Sequence, residues 1–106
     1  STIALMRANH LSEDLLEGGF GIGWQQMRPG FGFGYDVAVF YDPHRVGSTT
    51  GAGTYLWDGA AGTWFWIDPT NDIVFVAMIQ RMMSTGGMPQ VQQLSRALVH
   101  QALLDP

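Results

Sequence analysis

Apolar and polar positions fall into segments of different period along the chain. Ser1 to about Leu16 contains no Gly or Pro, carries Ile3, Leu5, Met6 and Leu11, and opens on residues that can cap; it predicts a helix. Val37, Val39 and Tyr41 alternate with Asp36, Ala38 and Phe40, which predicts a strand over 35–41 closed by Asp42-Pro43-His44. Two further strands follow, about 53–60 and 63–68, joined at Ala61-Gly62. Asp68-Pro69-Thr70-Asn71-Asp72 is a dense turn signal. Beyond it, Ile73 to Gln80 is an almost continuous apolar run, the pattern of a central strand covered on both faces. After Pro89, Val91, Leu94, Leu98 and Ala102 recur at steps of three and four while Gln92, Gln93, Arg96 and Gln101 take the other faces. That spacing predicts an amphipathic helix packing its apolar side on the sheet.

Seven of the fourteen glycines lie between Gly18 and Gly34, interleaved with Phe20, Ile22, Trp24, Phe31 and Phe33. A dinucleotide loop needs a strand before and a helix after, and here a strand follows, so the segment predicts a loop and an extended lead into the sheet. The order is helix, antiparallel meander of three to four strands, helix: an α+β pattern within one segment, residues 1–106.

Composition narrows the functional classes. At 106 residues the chain holds one domain at most. The apolar share of 46% and charged share of 13% describe a folded chain with few charges to cover its surface. All five basic residues are Arg, the net charge is −4, and no basic stripe exists, which argues against nucleic acid as a partner. With no Cys, disulfides, thiolate catalysis and Cys-based zinc sites are excluded. His10, His44 and His100 are scattered and no two are spaced to share a helix face, so neither a metal nor a cofactor is expected. The longest apolar run is too short to span a bilayer, and the compartment is left open. The chain starts at Ser1-Thr2-Ile3, already in helical sequence, and is expected to be a piece of a longer protein, with a mature N-terminus as the alternative.

The most informative segment is Gly53 to Pro69, with three of the four tryptophans and small residues at the centre of its hairpin. Trp57-Asp58-Gly59-Ala60-Ala61-Gly62-Thr63, the Ile67-Asp68-Pro69 that follows, the apolar strand ending in Gln80, and the Pro-led terminal helix together resemble the C-terminal part of the serine β-lactamase and penicillin-binding-protein superfamily. The class C-like esterase branch is the nearest likeness, and it runs from about Leu5 to Leu104.

The resemblance implies a partial β-lactamase-like fold and acyl-enzyme hydrolysis of an ester or a β-lactam or amide. It makes Trp57-Asp58-Gly59 the third family motif, on a strand lining the cleft. Ala60 would give a backbone N–H to the oxyanion hole beside Gly59, Trp57 and Asp58 would border substrate, and Arg81 would stand where relatives contact an acyl group. Asp58 departs from the motif, since esterases usually carry Gly there and lactamases Thr. If Trp57 faces the cleft, Asp58 points away and needs a polar partner or solvent.

A larger departure is that a chain without Lys has no Ser-x-x-Lys. No Tyr has Asn two positions on, and there is no Gly-x-Ser-x-Gly elbow. The expected partner is therefore an N-terminal segment of the same protein carrying the nucleophile, or another copy pairing the open edge of Ile73–Gln80. The alternative is a non-catalytic interaction module that holds a partner on an aromatic sheet face. Trp64 and Trp66 are expected as core under a helix, and Asp68-Pro69 as a structural turn.

Overall fold

The computed structural model describes residues 1–18, 20–22, 25–27, 29–59, 61–80 and 90–103. Two short helices, α1 (Thr2–Met6) and α2 (Glu13–Gly18), precede a hairpin of β1 (Phe20–Ile22) and β2 (Gln25–Met27). A five-stranded sheet then runs in chain order through β3 (Phe31–Phe33), β4 (Ala38–Phe40), β5 (Tyr55–Asp58), β6 (Trp64–Asp68) and β7 (Ile73–Ala77). Each neighbouring pair is antiparallel. A single 3₁₀ turn, Pro43–Val46, links β4 to the loop before β5, and α3 (Gln90–Gln101) closes the chain. The α+β class and the meander thus stand, with one more strand than the pattern gave.

Three local departures have physical causes. The N-terminal stretch is two helices because residues 7–12 bond the sheet instead of continuing the helix. Asn9 Oδ1 accepts from Leu11 N and from Phe33 N, His10 N donates to Phe33 O, and Tyr35 N donates to Met6 O. Asn competes well for backbone groups in this way. The glycine-rich segment holds β1, β2 and β3 rather than a loop. The strand expected over 35–41 is shortened to β4, because Gly34 N donates to Val37 O and closes a tight turn. Asp36 sits in that turn at φ 74°, a left-handed backbone that Asp tolerates better than most residues.

Register sets the two faces of the sheet. Leu56, Asp58, Trp64, Trp66, Asp68, Phe75 and Ala77 share one face; Trp57, Phe65 and Val76 form a row across the other. The first face holds the core of Ala38, Phe40, Leu56, Trp64 and Trp66, so the two tryptophans are buried as expected. Trp66 stacks on Phe75 at 5.2 Å between ring centres.

Two expectations are overturned. β7 is an edge strand, paired only with β6 among the described residues, and its burial alternates. Val74 and Val76 are 70% and 58% exposed, so the apolar run is not covered on both faces. The terminal helix also turns its other side inward. Gln92, Ser95, Arg96, Val99 and His100 meet the sheet or its edges, while Val91, Leu94, Leu98 and Ala102 face out. The sheet beneath α3 carries two indole N–H groups, which a purely apolar helix face would leave without partners.

Candidate functional site

The site begins with the turn between β5 and β6. Gly59 N donates to Thr63 O at 2.8 Å, and Gly62 N donates to Gly59 O at 3.1 Å, with Gly62 at φ 99°. The β4–β5 register covers Tyr55 and Leu56, whereas the β5–β6 register continues to Asp58. Trp57-Asp58-Gly59 therefore stands past the end of β4, at the tip of the sheet. A shallow open groove of about 400 Å³ lies there and wraps the tip of the sheet, bordered by Trp57, Asp58, Gly59, Thr63, Phe65 and Met78 among others.

Trp57 is half-buried and meets Phe33 edge to face at 5.7 Å between ring centres. Asp58 occupies the opposite face, where its Oδ2 lies 3.4 Å from Gln92 Nε2 on α3. The polar partner anticipated for this carboxylate is thus present. Gly59 has a structural reason to be small: a Cβ there would stand 2.8 Å from Thr63 Oγ1. Ala60 and Arg81 lie outside the described residues. Trp57, Asp58 and Gly59 are brought together by adjacency in the chain, and they offer the groove an aromatic wall with a carboxylate beside it.

On the face of the sheet beneath α3 lies a polar network that no local pattern marks as a unit. Asp68 is fully buried. Its Oδ1 accepts from Thr70 N and Asn71 N; its Oδ2 accepts from Gly51 N, Asn71 Nδ2 and His100 Nε2. Burial alone would raise its pKa, but the hydrogen bonds from Asn71, Gly51 and His100 outweigh it and hold the carboxyl below its ordinary value. The Asp68–His100 contact of 2.9 Å has the look of half a catalytic triad. The other ring nitrogen excludes that use, because Nδ1 is 3.0 Å from Arg96 O. Both nitrogens face acceptors, and neither is left to take a proton from a nucleophile. Ser95 is committed as well: its Oγ donates to Gln92 O and accepts from Trp64 Nε1 and Trp66 Nε1. This network fastens α3 to the sheet. The sequence signal for it was only the Asp-Pro turn, since its other members lie 17 and 32 positions away.

Comparison with known proteins places these elements. A family model described as "Beta-lactamase" matches residues 1–99. Protein Rv1367c of Mycobacterium tuberculosis (strain ATCC 25618 / H37Rv) is 33% identical over 82 residues, 74% of this chain and 20% of that protein. Esterase EstB of Burkholderia gladioli is 46% identical over 46 residues, 42% of this chain and 12% of that protein. Among solved structures, EstCE1, "a hydrolase with promiscuous acyltransferase activity", superposes with a TM-score of 0.73 at 28% identity, over 93% of this chain and 23% of that one. The chain thus matches between 12% and 23% of the length of these relatives.

Proposed function

The chain belongs to the beta-lactamase family, and from that premise we propose that it forms the sheet wall of an acyl-transferring serine hydrolase, closer to the esterases than to the lactamases. The observation that carries this reading is that the motif residues Trp57, Asp58 and Gly59 stand together on the rim of one groove at the tip of the sheet. The esterase relatives agree with it. Trp57 would border the acyl or alcohol part of the substrate. The backbone N–H of Ala60 would donate to the oxyanion as the carbonyl carbon becomes tetrahedral. The serine that attacks, and the lysine that takes its proton, would come from a segment outside these 106 residues, since the chain has no Lys. The serine oxygen bonds the carbonyl carbon, the alcohol or amine leaves with a proton, and water then releases the acid and restores the serine.

The test is rapid-mixing kinetics of the full-length protein with p-nitrophenyl esters and a chromogenic cephalosporin, followed by intact mass. A burst with a matching acyl adduct on serine is expected with esters. Absence of any adduct with either substrate would count decisively against the reading. Trp57→Ala is expected to reduce kcat/KM about 10- to 100-fold, the scale of one lost positioning contact.

A second reading, as an interaction module, draws on the open edge of β7 and the exposed stripe Val91, Leu94 and Leu98 on α3. The two readings meet if the segment that seats there is the one bearing the nucleophile. Deleting that segment abolishes acylation under the first reading and leaves the chain's function intact under the second.

A further inference from the structure

Arg96 is buried on the inner side of α3, with 8% of its surface exposed. Its guanidinium carbon lies 5.2 Å above the centre of the Phe40 ring. No hydrogen bond or ion pair joins that guanidinium to another described residue. Arginine stays charged at any ordinary pH and carries five N–H donors in a planar fork. A cation over a ring face satisfies the π side of the group and leaves its N–H edge unspent. Burial already pulls its pKa down, while its N–H groups keep contact with solvent, since the buried side-chain atom without a partner among the described residues is Tyr41 Oη and not an Arg96 nitrogen. The edge of the fork is therefore open to a partner.

We propose that Arg96 is a receiving site for a carboxylate supplied from outside the described residues, bound edge-on while Phe40 holds the ring side. Carboxylate is the chemistry chosen by the fork, which pairs two parallel N–H groups with two oxygens. The nearby titratable groups do not serve. Asp58 is turned to Gln92, Asp68 is engaged by His100 and the turn after β6, and His100, one helical turn from Arg96, is a donor to Asp68. Two sources share this chemistry: an acidic side chain on a further segment of the protein, or a free carboxylate ligand.

The sign of one substitution tests the proposal. In the full-length protein, Arg96→Met keeps the stem and removes the charge. If a carboxylate is bound there, Arg96→Met orphans it and lowers Tm at pH 7 by about 5 °C or more, and Arg96→Lys recovers part of the loss. The gap between wild type and Arg96→Met then closes as pH falls below about 4, where a carboxylate protonates. The titration of Asp68 is common to both proteins and cancels in that difference. If no acceptor is present, removing an unpaired buried charge leaves Tm unchanged or raises it, and the proposal is overturned; a loss that does not vary with pH overturns it too.

Nitrogen-15 spectra of the arginine side chains give a second measure that needs no variant. Resolved, slowly exchanging Nη–H signals for Arg96 are expected, and a single averaged signal sinks the idea. Dialysis into carboxylate-free buffer separates the sources: signals that persist mark a protein side chain, and signals that vanish and return with acetate mark a free ligand.

Discussion

Asp68 is the residue whose replacement this fold should tolerate least. Five donors converge on one buried carboxylate, and they come from the loop before β5, the turn after β6 and the end of α3. Asp68→Asn keeps the shape but offers an NH₂ where donors already point, and is expected to cost about 2–4 kcal/mol in urea unfolding. Because the folded pKa is depressed, the stability Asp68 adds is full above the ordinary carboxylate value of about 4 and is lost as pH falls through the lower folded value. Unfolding midpoints measured from pH 6 down to pH 2 should show this loss in the wild type and not in Asp68→Asn. Ser95→Ala is a smaller case of the same kind. It strands the indole N–H groups of Trp64 and Trp66 beneath α3, and about 1–3 kcal/mol should be lost. At this scale the sequence was half legible. Asp-Pro marked the turn, but nothing local showed that its carboxylate would reach Gly51 and His100.

The succession of β4 to β7 was the legible part among the elements, because alternation and turn residues are local signals, whereas the pair β1 and β2 was expected as a loop. The failures came where tertiary bonding overrode the local pattern. Asn9 and His10 left the helix to bond β3, and Asp36 took a left-handed turn inside an apparent strand. The inverted face of α3 failed for a further reason: periodicity finds an apolar stripe but not what it faces. The motif strand was legible as a resemblance, yet Gly59 shows how a motif residue can have two reasons to exist. Gly59→Ala should lower Tm by a few degrees, because its Cβ would press on Thr63 Oγ1. Adding Thr63→Ala should restore Tm. If activity stays low in the restored double variant, the small residue also serves substrate; if activity returns with stability, Gly59 matters only for the turn.

For the whole molecule, apolar surface is left open on both sides of the sheet. The outward stripe of α3 lies over the Trp66 face, whereas Val74 and Val76 belong to the opposite face beside the edge of β7, and a folded chain with few charges has reason to cover both. An edge strand of this kind has alternate amides pointing away from its one neighbour, and those exchange quickly unless another strand accepts them. In the full-length protein, hydrogen exchange is expected to be slow at every amide from Ile73 to Ala77, because an added strand pairs the outward set. Leu94→Gln with Leu98→Gln is expected to destabilise the same protein by about 2 kcal/mol or more, since side chains exposed in this chain would be buried there. An alternating fast and slow pattern along β7, together with no effect of the leucine pair, would mean that both surfaces stay open to solvent. The nucleophile-bearing segment would then have to approach the Trp57 groove by another route.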